Sequence, residues 1–396
     1  MKNIIFIIPF LLILASCQDK QEGFLLKGSI GGNAEGMKVL LADAYAYPFV
    51  ILDSTVIQNG KFLLKGRIDS PGLYQLIIDR SGEGQEETML ASKFYLENSN
   101  ISYTGHIDSL PTYYWNKERM TREPVITGSK EQDLYIQYQQ ENQALNQEFS
   151  QIYNQYLKVY HLPALEGKFH TQEGIALAKQ ITKLEEAKRD AQWAFIEKHP
   201  QSTVGYDLAC QFLEGMYVNL TAAQIDQLAG LISTNWQSYP EKVAAFHAKA
   251  EKAKALALGS KYQDIELTNL KGEKVKLSSY IPSGKYVMLE FWASWCGPCR
   301  GEIPHLRHVY QQYKDKGFEI VSISLDSEQK DWLKAVQEEK MAWTQLCDPL
   351  MFNGPVTQTY NITGVPTCIL LDKEGRIFKT DMRGAALDAV LQELYP

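Results

Sequence analysis

Phe291-Trp292-Ala293-Ser294-Trp295-Cys296-Gly297-Pro298-Cys299 leaves an apolar, strand-like run and opens a helical one. Two cysteines three positions apart in the first turn of a helix form a small redox unit. Unpaired backbone N–H groups and the macrodipole at a helix N-terminus favour negative charge. A thiolate at Cys296 is therefore stabilised, and the thiolate is the attacking form of a cysteine. Cys299, one turn on, lies within reach of Cys296 and can close a disulfide across a very short loop.

Other uses of a Cys-x-x-Cys pair can be weighed against the neighbouring residues. Zinc needs four ligands. His305 and His308 lie downstream, but six positions along a helix turn His305 about 240° away from Cys299, so no metal site is expected. Haem attachment needs His directly after the second cysteine, where this chain has Arg300. A peroxiredoxin carries Thr three residues before its peroxidatic cysteine, and here that position is Ala293. A static structural disulfide stays open on these residues alone.

Outward from the pair, residues 258–396 alternate strands and helices. Val287 to Trp292, Glu319 to Leu325 and Thr367 to Leu371 are apolar runs short enough for buried strands. Helical patterns cover Cys296 to Lys316, Glu328 to Lys340 and Ala385 to Leu394. Asp372-Lys373-Glu374-Gly375 turns into a further strand at Arg376 to Thr380. Such alternation argues an α/β sheet with helices on its faces.

On these residues the block resembles a thioredoxin fold of the TlpA/ResA type, the membrane-associated thiol-disulfide oxidoreductases of bacteria. Trp292 and Trp295 flank the pair as in thioredoxins, and Pro304 falls where thioredoxins kink the active-site helix. Thr363-Gly364-Val365-Pro366-Thr367 matches the loop whose cis-proline faces the cysteines. Leu325-Asp326 to Trp343 is similar to the insertion typical of that branch. The resemblance implies that Cys296 attacks a client disulfide and Cys299 resolves the mixed disulfide, with no cofactor beyond that redox-active pair. It implies that Trp295, Gly297, Pro298, Val365 and Pro366 meet the client. Glu290 stands where thioredoxins carry a buried acid that exchanges a proton with the second cysteine, and burial raises a carboxyl pKa toward neutrality. The lysine that accompanies that acid is replaced by Ser322, which leaves Glu290 without a charge partner. Gly297-Pro298 is the dipeptide of thioredoxin, a reductant at roughly −270 mV, so reduction of client disulfides is the expected direction, fed by a membrane thiol reductase. Relatives of this kind include reductases of apocytochrome c maturation. Cys210, Cys347 and Cys368 read as buried, inert thiols.

Upstream, residues 129–257 read as a helical spacer. Ser129 can cap a helix reaching Tyr160, with Gln132 at capping-box distance, and His161-Leu162-Pro163 ends it. Thr171 to Lys198, Ser202 to Met216, Thr221 to Ile232 and Pro240 to Ala257 follow as helices. Leu134, Tyr138, Leu145, Phe149, Ile152 and Tyr156 recur at helical spacing and mark an apolar seam. Residues 24–126 are rich in short strands: Phe24 to Ile30, Met37 to Leu41, Val50 to Ile57, Lys61 to Ile68, Leu73 to Ile78, Ser92 to Glu97 and Asn100 to His106. Asn59-Gly60 is a hairpin signal, and the whole reads as a sandwich-like all-β domain. These two blocks resemble the β-rich domain of unknown function and the helical spacer that precede thioredoxin domains in many lipoproteins.

The N-terminus addresses the chain. Lys2 and the apolar run Ile4 to Leu14 form an export signal, too short to span a bilayer as a mature helix. It ends in Leu14-Ala15-Ser16-Cys17, which resembles a bacterial lipobox. Residues 1–16 are then a signal peptide, Cys17 the lipidation site and 17–23 a tether. The expected place is the cell envelope facing the periplasm, at the outer membrane because Gln18 follows Cys17. The 396 residues carry 40 Lys plus Arg against 47 Asp plus Glu, and no basic run stands out, so nucleic acid is not an expected partner. Six cysteines are too few for a disulfide scaffold, so a hydrophobic core holds the fold. The competing reading is a binding lipoprotein of the cell envelope whose Cys-x-x-Cys is a static disulfide.

Overall fold

The structure is a computed structural model that describes residues 22–114, 120–214 and 217–396. The signal, Cys17 and most of the tether, and the expected helix end at Met216, lie outside those residues. The chain forms two compact units that part between Ile136 and Gln137.

The first unit holds β1 (Phe24–Gly31), β2 (Lys38–Asp43), β3 (Ile51–Val56), β4 (Lys61–Gly66), β5 (Gly72–Asp79), β6 (Leu90–Leu96), β7 (Asn100–His106) and β8 (Val125–Thr127). They make two four-stranded sheets, β4-β1-β7-β8 and β3-β2-β5-β6. Alternation sets the faces: Phe24, Leu26 and Ile30 of β1 are buried while Lys27 and Ser29 are exposed, as a half-buried strand requires. Leu26, Leu64 and Ile101 of one sheet share a core with Val39, Leu41 and Phe94 of the other. At Gly28 a Cβ would fall 1.8 Å from the Phe62 ring, so glycine there admits the aromatic.

The Asn59-Gly60 turn forms with both residues at positive φ, but it does not make a lasting hairpin. Pairing stops at the single bridge Gln58–Lys61, and β3 and β4 then join different sheets. Ile57 and Phe62 on either side of the turn are both buried in the core between the sheets, so the chain crosses from one layer to the other.

Ser129 does cap the following helix: its Oγ accepts from the Gln132 N–H at 3.1 Å. Gln132 does not complete a capping box. Its Oε1 accepts instead from the Tyr95 N–H at 2.9 Å, because the helix start is buried against β6. The expected single helix is interrupted. It runs as α1 (Lys130–Glu141) and α2 (Gln143–Tyr156), parted at Asn142, whose side-chain amide donates back to the Tyr138 carbonyl at 2.8 Å, the local competition Asn offers a helix. Nor does it end before Pro163. A wide turn at Leu157–His161, in which the Leu162 N–H reaches the Leu157 carbonyl, leads into α3 (Leu162–Leu165). Pro163 sits in the first turn of α3, directly after this wide turn. Then come α4 (Thr171–Lys198), α5 (Thr203–Glu214), α6 (Ala222–Asn235) and α7 (Pro240–Lys254). The aromatic stripe packs as a seam against α4, with Tyr138 meeting Phe195 at 4.8 Å between ring centroids and the Lys188 ammonium 4.4 Å over Phe149.

The rest of the second unit is a seven-stranded sheet ordered β10-β9-β13-β12-β11-β14-β15. Its strands are β9 (Glu266–Asn269), β10 (Lys274–Lys276), β11 (Tyr286–Trp292), β12 (Phe318–Ser324), β13 (Thr344–Cys347), β14 (Thr367–Leu371) and β15 (Ile377–Thr380). Helices α8 (Gly297–Tyr313), α9 (Gln329–Glu338), α10 (Pro355–Tyr360) and α11 (Ala385–Leu394) accompany it. The central β11 runs parallel to β12 and antiparallel to β14. Trp292, Ile303, Leu306 and Trp332 fill the core beneath the β11–α8 junction.

Candidate active site

Cys296 and Cys299 are joined in a disulfide with Cα atoms 5.3 Å apart. Cys296 is the N-cap of α8, and its sulfur accepts from the Cys299 N–H at 3.1 Å. That N–H is one of the groups a helix start leaves without an intrahelical partner. The same donor, with the helix dipole, favours negative charge on Cys296 once the pair is reduced. Access is unequal: Cys296 keeps 5% of its surface and Cys299 none. Gly297 and Pro298 are exposed beside them, and Trp295 is 54% exposed.

Two features frame the pair. The Val365-Pro366 bond is cis, and the Val365 carbonyl oxygen lies 3.7 Å from the Cys296 sulfur. The loop before Cys296 is pinned by Asp326, whose carboxylate accepts from the Ser294 N–H at 2.9 Å and the Ser294 hydroxyl at 2.5 Å. The Ser324 hydroxyl also donates to it at 2.5 Å. No local pattern in the sequence marks Asp326 for this task, since the contact spans 32 positions. Phe352 lies with its ring centroid 6.3 Å from that of Trp295. Phe352 is itself 40% exposed and extends the apolar surface that Trp295 offers beside the pair.

Glu290 is buried at the middle of the sheet, opposite Ser322 of β12 and Cys368 of β14. Burial pushes its carboxyl up to about 7; a hydrogen bond from Ser322 opposes the rise and the charge of Glu302 adds to it. Ser322 therefore does partner Glu290, through a neutral hydroxyl that donates to Oε2. The Ser322 oxygen in turn accepts from the Trp343 indole N–H at 2.7 Å.

A second polar group lies on α8, one to two turns beyond Cys299. His305 is buried, with Nδ1 3.2 Å from Glu302 Oε1 and Nε2 3.1 Å from Asp388 Oδ2. Burial disfavours its charge, but the two carboxylates outweigh that and lift it to about 10. Glu302 goes the other way: burial would raise it, yet His305 and the Gly384 N–H, 2.8 Å from Oε1, hold it below the usual range. The Tyr160 hydroxyl, next to the start of α3, donates to the same Asp388 oxygen at 3.1 Å. A Cβ on Gly384, at φ +52°, would meet the Tyr156 hydroxyl at 2.7 Å. Glu302 is three positions from His305 on the same helix, whereas Asp388 is 83 positions distant and leaves no local signal.

Cys210, Cys347 and Cys368 are buried free thiols. Burial pushes Cys210 and Cys347 up to about 11 and Cys368 well above the ordinary thiol value. No three His, Cys, Asp or Glu side chains among the described residues are grouped to hold a metal ion.

Comparison with known proteins matches two parts of the chain to family models. Residues 258–380 match the model of the AhpC/TSA family, and residues 24–135 that of a domain of unknown function, DUF4369. The thiol-disulfide oxidoreductase ResA of Geobacillus kaustophilus is 34% identical over 123 residues, 31% of this chain and 68% of that protein. ResA of Oceanobacillus iheyensis is 33% identical over 139 residues, 34% of this chain and 70% of that protein. Among solved structures, the thioredoxin domain of a thiol-disulfide oxidoreductase from Bacteroides vulgatus is 38% identical with a TM-score of 0.33, covering 36% of this chain and 99% of that one.

Proposed function

Since the chain belongs to the ResA family of thiol-disulfide oxidoreductases and shares that activity, we propose that it reduces disulfides of exported client proteins, with Cys296 as nucleophile and Cys299 as resolver. The observation that carries the assignment is the unequal pair: Cys296 caps α8 with its sulfur on a backbone N–H, while Cys299 is sealed one turn deeper.

In the reduced protein the Cys296 thiolate attacks one sulfur of a client disulfide. A Cys296–client disulfide forms and the other client sulfur leaves as a thiolate. Cys299 then gives its proton to the Glu290 carboxylate and attacks the Cys296 sulfur. The Cys296–Cys299 disulfide forms and the client's second sulfur is released. The client gains two electrons, the pair loses two, and the pair itself is the only redox group required. Trp295, Gly297, Pro298 and the Val365-Pro366 edge receive the client chain. A membrane thiol reductase restores the pair.

The proposed place is outside the cytoplasm, with the protein held to the envelope through a lipid on Cys17, at the outer membrane. No helix among the described residues is long and apolar enough to cross a membrane. With Cys17→Ala the protein should move from the membrane to the soluble fraction after a salt wash; retention in the pellet rejects the anchor.

The redox assignment is tested by trapping. Cys299→Ser should accumulate covalent client adducts on a non-reducing gel, because Cys296 can attack but nothing releases it. Cys296→Ser should give almost none. Equal yields would reject the roles. Failure to speed insulin reduction by dithiothreitol would favour the binding lipoprotein with a static disulfide.

A further inference from the structure

We propose that Ser322 and Trp343 are positioning residues that hold Glu290 by one carboxyl oxygen, Oε2, and so assign the exchanging proton to the other, Oε1. The inference rests on the reading of Glu290 as the proton acceptor for Cys299 and adds how that acceptor is aimed.

The geometry is a chain across three adjacent elements. Glu290 on β11 and Ser322 on β12 stand opposite each other in the parallel ladder. Trp343 immediately precedes β13, the other neighbour of β12. The indole N–H donates to the Ser322 oxygen at 2.7 Å, and the Ser322 hydroxyl donates to Glu290 Oε2. A serine hydroxyl has one hydrogen. With the indole N–H aimed at its oxygen, that hydrogen is directed at the carboxylate. Protonation of Oε2 would turn two hydrogens on one another, so the proton that arrives from Cys299 goes to Oε1. Trp343 also polarises the hydroxyl, since linked hydrogen bonds strengthen one another in a low dielectric. All three groups are buried, so water does not replace a lost link cheaply.

Other groups face Glu290 as well. Cys368 stands opposite it on β14, and Glu302 acts on it from α8. Asp381 and Arg383 act on Cys368 behind it. None of these is altered by changes at Ser322 or Trp343.

The experiment compares Ser322→Ala, Ser322→Thr and Trp343→Phe in the full chain. Two readouts are followed: the pH profile of mixed-disulfide resolution, and the infrared carbonyl band of the protonated carboxyl in the reduced protein, assigned by its loss in Glu290→Gln. Loss of a donor to a buried carboxylate favours its protonated form, so Ser322→Ala should raise both midpoints by about one pH unit. Trp343→Phe keeps an aromatic ring against Tyr310, 5.6 Å away, and should raise them by about half a unit. Ser322→Thr restores the hydroxyl and should return both to the parent values. With Glu290→Gln in the background neither change should move the resolution profile. Midpoints unmoved by Ser322→Ala, or a resolution shift that persists with Glu290→Gln, overturns the proposal. The infrared arm needs no client, so it decides the matter even if Cys299 fails as resolver in the trapping experiment.

Discussion

Glu290 is buried and Glu302, with 16% of its side chain exposed, is largely so; the two lie in the same α/β fold and hold protons in opposite ways. Glu290 meets a neutral hydroxyl and is pushed up to about 7. Glu302 meets an imidazolium and a backbone N–H and is held below the usual carboxylate range. Burial acts on both in the same direction, so the partner decides. A neutral partner makes a carboxyl that changes state near neutral pH, as proton transfer requires. A charged partner makes a permanent ion that can hold elements together and exchange nothing.

The largest way to break this contrast is to remove the cation. His305→Leu leaves Glu302 and Asp388 buried without it, and loss of one member of a buried ion cluster costs about 3–5 kcal/mol. The expected result is a drop of that size in denaturant unfolding at pH 6. The pH dependence has a definite sign. His305 is raised from 6.5 to about 10 in the fold, so its contribution is complete below about 6.5 and fades as pH rises through about 10. Glu302 is lowered from 4.5, so its contribution is present above that value and fades in acid. The penalty of His305→Leu should therefore peak between these limits and shrink toward pH 10. A penalty that does not vary with pH would mean His305 is neutral in the fold.

Glu290→Gln should act the other way. An acid raised from 4.5 to about 7 costs the fold nothing below 4.5 and its full penalty above 7, about 3 kcal/mol. The variant should match the parent at pH 4 and be more stable by up to that amount at pH 8, while resolving mixed disulfides more slowly. Equal stability at both pH values would show that Glu290 is not desolvated as the geometry has it.

The contrast between these glutamates was half legible in the sequence. Glu290 could be found because a lone acid in an apolar strand two residues before Trp292 is anomalous, and the redox pair nearby gave it a task. Strands β11 and β14 and the helix opening at the cysteines were legible from short apolar runs and a change of period. Glu302 and His305 looked like ordinary residues of an amphipathic helix. Their partner Asp388 lies on α11, and no local pattern reports a contact of that separation. The same limit explains β8, β9 and β13, strands of only three or four residues that exist because a neighbour offers an edge. It also explains Asn59-Gly60: the turn is local and was readable, whereas the sheet each flank joins depends on distant cores.

The smallest effect sharpens the comparison by asking whether the two regions act on each other. Tyr160→Phe removes only the hydroxyl that donates to Asp388 Oδ2. The ring keeps its edge-to-face place 6.3 Å from His305, and His305 still holds the carboxylate. Burial and the nearby Asp388 carboxylate both raise the Tyr160 hydroxyl, so it is a donor at every working pH and its loss is one hydrogen bond to a charged group. That is worth about 1.5–3 kcal/mol, and the surviving imidazolium places the expected cost near the lower end. Unfolding should register it. Disulfide exchange and the infrared titration of Glu290 should not, because Glu302 keeps both of its own partners and its charge. A shift of the Glu290 midpoint in Tyr160→Phe would mean that the helical segment reaches the redox pair through Asp388, His305 and Glu302, and the influence of Glu302 on Glu290 would then extend to Tyr160.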